Sequence, residues 1–351
     1  MRLGKSFRAT AKVPCTASLS GHFQDRLAEH GLHPCADPAN PAVLHYAFQD
    51  CLVELHQHRG RLDLALAAPS SATLSFLKDT VTRYIAEADS AAAEALRWSD
   101  EAREGDPPPG FHVLRLLRRQ WVLPGLQRFT FAAEDAGALA EGGLHVRLLV
   151  PPSRERPPSW PVVGANGRLR WPEGADRLAA RVYTLRHLRP AENEIDIDVV
   201  MHGGSALAGA AEGAKPGDVF GALGPGGGGA PPEGRWLLLG GDTSALPVLA
   251  RSFELLPAAA GHCIVATPAE AAAYLSPPPN MELDILPAAG EALCERLKAV
   301  TPPAGETMFA AFAGEHADAM AMRSHFRQTL QLEPKNAVAA TYWRHGAMPS
   351  E

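Results

Sequence analysis

The hydrophobic pattern of this 351-residue chain changes twice, and those two changes limit the folds open to it more than any single motif does. From Phe111 to about residue 229 the apolar residues fall in short strand-like runs, FHVLRLLRRQWV, LQRFTFAA, LHVRLLVPP, RVYTLRHLR and EIDIDVVMH, separated by Pro, Gly and Asn. Several short strands with regular turn signals imply a closed antiparallel barrel. Beyond the glycine-rich stretch GALGPGGGGAPPEG, compact apolar strands (GRWLLLGG, GHCIVAT, MELDILPA, MFAAFAG) alternate with helical stretches such as SALPVLARSFELLP and EALCERLKAV. Strand alternating with helix implies a parallel sheet with crossover helices. No GK(S/T) follows the glycines, which excludes a nucleoside-triphosphate loop and leaves a hinge as the better reading.

The first hundred residues have a third pattern. HYAFQDCLVELHQHRGRLDLALAA reads as two or three strands around the turn HRG, flanked by helical ASLSGHFQDRLAEHG and SATLSFLKDTVTRYIAEA. A small two-layer α+β unit is expected there. The polar, then proline-locked stretch SDEAREGDPPPG ends it. The expected organisation is residues 1–98 as the α+β domain, 99–110 as linker, 111–229 as barrel and 230–351 as α/β domain. A chain of this length exceeds what one core usually holds, so a multidomain fold is expected in any case.

Composition narrows the function. The apolar fraction of 46% and charged fraction of 21% are those of a globular protein, and the net charge of -6 gives nucleic acid or an anionic membrane no attraction. No run of 18 apolar residues occurs, so no integral membrane segment is expected. The five cysteines form no CxxC pair and no iron–sulfur spacing, which fits a reducing cytoplasm. His22, His30, His33, His45, His56 and His58 crowd the N-terminal unit. His56 and His58 share a strand face, with Cys35 and Cys51 in the same domain. A metal or haem site is conceivable there, although paired histidines more often decorate an open sheet face.

The candidate chemistry lies in RVYTLRHLRPAENEIDIDVVMHG, residues 181–203. In an extended strand Arg181 and Tyr183 share a face, with Thr184 beside them. A guanidinium suits phosphate oxygens and a tyrosine ring suits a flat heteroaromatic, so a bound cofactor is one reading and an ordinary surface strand the other. In the next strand Glu194, Asp196 and Asp198 face one way and Ile195, Ile197 and Val199 the other. After His202 a glycine pair opens a stretch of small residues, where backbone N–H groups could approach a pyrophosphate.

Seven markers occur in fixed order: RVYTLR at 181, DIDVVMHG at 196, PGD at 216, GPGG at 224, GDTSALP at 241, AGE at 313 and YWRHG at 342. In this, residues 111–346 resemble the siderophore-interacting proteins, a branch of the ferredoxin-reductase-like flavoproteins. The N-terminal unit resembles a small uncharacterised domain sometimes fused ahead of them. The resemblance implies an FAD-binding barrel and a C-terminal domain that takes NADH or NADPH as electron donor. It implies that Arg181, Tyr183 and Thr184 hold FAD, Tyr183 and Thr184 at its reactive ring. His202, Gly204, Ser205 and Ala206 would form a second FAD segment, and His145, Val146 and Arg147 a strand beside the flavin. Gly241, Asp242, Thr243 and Ala245 would meet the nicotinamide nucleotide, and Tyr342, Trp343 and Arg344 lie in the motif near flavin and substrate. A cationic mouth for an anionic ferric siderophore is expected from Arg147, Arg186 and Arg344. The implied activity is reduction of a ferric siderophore. A general flavin or ferric reductase, and a non-catalytic flavin or siderophore binder with a sensing N-terminal domain, remain open. IVATPAEA and LDILPAAGEA lack the residues by which relatives choose between the two nicotinamide donors.

Overall fold

The structure, a computed structural model, describes residues 6–14, 17–29, 34–37, 40–48, 51–99, 103–164, 167–201, 213–287 and 289–346. The N-terminal unit runs β1 (Phe7–Pro14), α1 (Ala17–Glu29), β2 (Cys35–Asp37), β3 (Asn40–Phe48), β4 (Cys51–His58), β5 (Arg61–Ala68), α2 (Ser71–Ala88) and α3 (Ser90–Ala95). Its strands form one antiparallel sheet in the order β1-β5-β4-β3-β2. Alternation decides which face is covered: Val53 and Leu55 of β4 and Leu62, Leu64 and Leu66 of β5 point into a core shared with Phe23 of α1 and Val81, Tyr84 and Ile85 of α2. The side chain of Ser70 starts α2 by accepting the Thr73 N–H at 3.1 Å.

The second unit is the expected barrel. Strands β6 (Phe111–Leu123), β7 (Leu126–Ala133), β8 (His145–Val150), β11 (Ala179–Arg189), β12 (Glu194–Val200) and β13 (Val219–Gly226) close in the order β11-β12-β7-β6-β13-β8. Between them β9 (Val162–Val163) pairs with β10 (Leu169–Arg170). Ile195, Ile197 and Val199 fill the interior with Phe129, Phe131 and Phe220. The sixth strand corrects the sequence reading, because the first half of the expected glycine hinge is β13, hydrogen-bonded to both β6 and β8. Glycine is required on it at Gly221, where a Cβ would lie 2.8 Å from the Trp160 ring.

The third unit is a parallel sheet of β14 (Trp236–Asp242), β15 (Ala260–Ala266), β16 (Asn280–Leu286), β17 (Met308–Glu315) and β18 (Ala337–Trp343), ordered β16-β15-β14-β17-β18. Its helices are α4 (Leu246–Leu255), α5 (Glu291–Lys298) and α6 (His316–Ser324). The chain leaves β14 toward β15 on one side and returns to β17 on the other, so the order reverses beside β14. The crevice at the carboxyl ends of such strands is where doubly wound sheets place ligands. Among the described residues no helix is long and apolar enough to cross a membrane.

The three units are packed together. A Cβ at Gly110, where φ is +77°, would lie 2.4 Å from the Ala72 Cβ and 2.7 Å from the Gly224 carbonyl oxygen, so the first turn of α2 sits directly on the barrel. Residues in the expected linker also join it, with Gly105 N–H donating to the Val163 carbonyl at 2.8 Å and Val163 N–H to the Asp106 carbonyl at 2.9 Å.

Candidate functional site

The site is built on the two-stranded ribbon β8–β11, whose register pairs Arg181 with Leu148, Tyr183 with Val146 and Thr184 with His145. Alternation therefore places Arg181 and Tyr183 on one face, and Thr184, Val182, His145 and Arg147 on the other. Tyr183 lies half-buried against the barrel core, and burial raises its phenol pKa. Arg181 is also half-buried. Its one hydrogen bond among the described residues goes to its own strand, Nη1 to the Ala180 carbonyl at 2.8 Å, and no carboxylate pairs with it there. A half-buried guanidinium without a counter-charge, one residue removed from a tyrosine ring on the same face, is a donor set that fits a phosphate joined to a flat ring system.

The opposite face of the ribbon meets the C-terminal sheet. The Tyr342 hydroxyl lies 2.9 Å from His145 Nε2 and shares a hydrogen bond with the buried Thr184 side chain. Its ring stands edge-on to the imidazole at 6.0 Å and keeps 37% of its surface exposed, while its hydroxyl points inward and burial raises its pKa. Burial, aided by the Arg251 charge, lowers the His145 pKa to about 4, so the imidazole is neutral at ordinary pH. Arg251 also donates to the Leu185 carbonyl and ties α4 to β11. Thr184, His145 and Tyr342 thus join barrel and sheet at one point.

Around that point the four residues expected to meet a nicotinamide nucleotide have different tasks. The Asp242 carboxylate takes four donors: Ser244 N–H (2.8 Å) and Oγ–H (2.5 Å) on Oδ1, Glu315 N–H (3.0 Å) and Trp343 Nε1–H (2.7 Å) on Oδ2. It closes the turn before α4 and fixes the Trp343 indole. Gly241 and Ala245 are buried against each other, a Cβ on Gly241 falling 2.2 Å from the Ala313 carbonyl oxygen and 2.5 Å from the Ala245 Cβ. Those two positions pack the turn tightly against β17. Thr243 is half-buried, with Oγ1 donating to Thr267 Oγ1 at 3.1 Å.

The expected cationic mouth also changes. Arg186 is 6% exposed and holds Glu254 at 2.8 Å and the Tyr274 hydroxyl at 3.2 Å, with its guanidinium over the Tyr274 ring. It clamps barrel to sheet and has no free edge to offer a substrate. Arg344 is exposed and contacts His316 Nε2 at 3.1 Å. Arg147 remains on the ribbon face, 3.4 Å from Asp79 of α2 and close to the rings of Phe76 (5.1 Å) and Trp171 (5.8 Å). His202, Gly204, Ser205 and Ala206 lie outside the described residues.

The acidic side of β12 is an ion-pair ladder that the motif reading did not anticipate. Asp196 and Asp198 are buried. Asp198 receives a two-pronged contact from Arg128 at 2.7 Å and the Tyr274 hydroxyl, and Asp196 receives Arg189, His187 and Thr130. Against the effect of burial, Arg189, His187 and Thr130 hold the Asp196 carboxyl far below the usual carboxylate range, and Asp198 raises the pKa of Arg128. Reading charge at strand period could have paired Arg128 with Asp198, since the two are register partners across β7 and β12.

In the N-terminal sheet the His56 and His58 rings do share a face, 4.0 Å apart. His58 pairs with Asp63 at 3.1 Å and His45 with Glu54 at 3.1 Å. Cys51 points into the core on the other face, so period two separates it from His56, and Cys35 lies on β2. Among the described residues no three His, Cys, Asp or Glu side chains gather at metal-binding distance.

Comparison with known proteins accords with this geometry. The sequence pattern described as the siderophore-interacting FAD-binding domain matches residues 115–229, and that of the siderophore-interacting protein matches residues 234–346. Ferric vibriobactin reductase ViuB of Vibrio cholerae is 28% identical over 255 residues, covering 67% of this chain and 89% of the relative. Among solved structures, the siderophore-interacting protein SipS from Aeromonas hydrophila aligns with a TM-score of 0.56 at 28% identity, over 68% of this chain and 92% of its own. A siderophore utilization protein from T. fusca aligns with a TM-score of 0.59 at 25% identity, over 69% and 95%.

Proposed function

This chain belongs to the siderophore-interacting protein family, and from that premise we propose that it is an FAD-dependent ferric-siderophore reductase using NADH or NADPH. The observation that carries the reading is the junction of Thr184, His145 and Tyr342, which brings the ribbon bearing Arg181 and Tyr183 onto the carboxyl end of the parallel sheet. Thr184, next to Tyr183 in the chain but on the sheet-facing side, is where a reducible ring held by Arg181 and Tyr183 would come beside the crevice in which a nicotinamide donor docks.

Bound FAD would accept a hydride from reduced nicotinamide and pass electrons one at a time, which is what Fe(III) as acceptor requires. Arg181 would hold its pyrophosphate, Tyr183 would supply a flat apolar face, and the Thr184 hydroxyl would stand at the ring's polar edge. His202, Gly204, Ser205 and Ala206 belong to the same proposal. Neutral His145 fixes the Tyr342 hydroxyl, and the Tyr342 and Trp343 rings shield the junction from water. Thr243 is the donor-side contact we assign. Arg147 and Arg344 provide the positive charge that an anionic chelate needs on a protein of net charge -6. Two Fe(III) are reduced per hydride, and hard anionic oxygens release the less charged Fe(II). Among the described residues Cys35, Cys263 and Cys294 form no disulfide, which suits the reducing cytoplasm we assign.

The test is anaerobic stopped-flow absorbance. The yellow protein should bleach with NADH or NADPH and regain its colour on addition of a ferric siderophore, with Fe(II) appearing in a ferrous trap. Lack of bleaching with either donor would favour a non-catalytic binder. Equal rates with free flavin and with ferric citrate would favour a general reductase.

A further inference from the structure

We propose that the N-terminal α+β unit is part of the substrate mouth of this reductase, with Phe76 and Asp79 of α2 selecting anionic ferric chelates whose iron-binding groups are aromatic. The proposal rests on the reading of the ribbon as the flavin site. Three facts of geometry carry it.

The first is adjacency. On the outer face of β8–β11, Thr184 and His145 form one cross-strand pair and Val182 and Arg147 the next but one residue along. Two residues of strand separate such pairs by about 7 Å. Tyr342 of the C-terminal sheet contacts His145 of the first pair, and α2 reaches Arg147 of the second through Asp79 and Phe76, leaving Val182 open. N-terminal and C-terminal units therefore flank one short surface, and a chelate lying on the Arg147 position is next to the edge marked by Thr184.

The second is chemistry. The Arg147 guanidinium has Phe76 at 5.1 Å and Trp171 at 5.8 Å from their ring centres. Phe76 is 47% exposed and Val182 56% exposed, so apolar surface borders the charge. A cation framed by two rings suits a flat anionic ring, which gains charge pairing and stacking together. Asp79, 3.4 Å from Arg147, offsets part of that charge and competes with any anion for it.

The third is rigidity. The start of α2 is wedged onto the barrel at Gly110, and the Ala93 carbonyl accepts from Arg168 Nη1 at 2.9 Å. A unit held at two places positions Phe76 as fixed wall of the mouth.

The experiment uses the full-length, FAD-loaded protein and two ferric substrates, a catecholate chelate and ferric citrate. Phe76→Ala should lower kcat/KM for the catecholate about fivefold relative to ferric citrate, and Phe76→Tyr should restore the ratio. Asp79→Asn should lower KM for both anions about twofold, because Arg147 is released. An unchanged ratio in Phe76→Ala, an equal fall with both substrates, or an unchanged or raised KM in Asp79→Asn would overturn the proposal. If the wild-type protein reduced neither chelate, the reductase reading itself would fail, a different outcome from a wild type that reduces both and is indifferent to Phe76.

Discussion

His145 offers a test of the domain junction that needs no substrate. Its folded pKa, lowered to about 4 by burial and by Arg251, stands against an unfolded value of 6.5. A histidine with a depressed folded pKa is protonated first in the unfolded chain. Acidification through 6.5 therefore favours unfolding, and the loss stops growing once pH falls below the folded pKa. At pH 4.5 those two values correspond to about 2.5 kcal/mol, which partial solvent access to the ring reduces to about 2 kcal/mol. His145→Gln keeps a side-chain donor toward Tyr342 and removes the titration. Urea unfolding of the two proteins, each equally loaded with FAD, should show wild type losing about 2 kcal/mol more than His145→Gln between pH 7.5 and pH 4.5. Parallel pH profiles would refute the claim that the junction buries a neutral imidazole.

The ion-pair ladder and the nucleotide-side turn give two further outcomes. Asp198→Ala leaves Arg128, 16% of whose side chain is exposed, with Asp196 at 4.0 Å in place of its two-pronged partner and removes the acceptor of Tyr274, so a loss of about 3 kcal/mol is expected in denaturant unfolding. Gly241→Ala places a methyl 2.2 Å from the Ala313 carbonyl oxygen and should lower stability by about 2 kcal/mol or more in a thermal melt, even with donor nucleotide absent.

Strand period carried most of the fold into view from the residues alone. Alternating EIDIDVV fixed the face of β12 that enters the barrel, and the helix at SATLSFLKDTVTRYIAEA occurs where its apolar spacing places it, Ser71–Ala88. β13 escaped because VFGALGPG has too few apolar side chains to show a period, and its pairing comes from backbone hydrogen bonds. The faces of Arg181 and Tyr183 were legible for the same reason as β12. The partners of Arg186 and Arg147 were not. A surface arginine and an interdomain clamp look alike in sequence, and only the folding together of β11, α4 and residue 274 makes Arg186 the latter. The contact of Asp79 with Arg147 joins residues 68 apart along the chain, a pairing no local pattern encodes. The demand for glycine at 241 comes from Ala313 and Ala245, a tertiary requirement that no local pattern encodes.

The central claim is that the Arg181–Tyr183 face of β11 grips a flavin dinucleotide. Equilibrium titration of the flavin-stripped protein with FAD, followed by quenching of flavin fluorescence, addresses it directly. One FAD per chain is expected, with Arg181→Ala weakening binding about 30-fold or more through loss of a charge-assisted phosphate contact. An Arg181→Ala protein that binds FAD as tightly as wild type would contradict it.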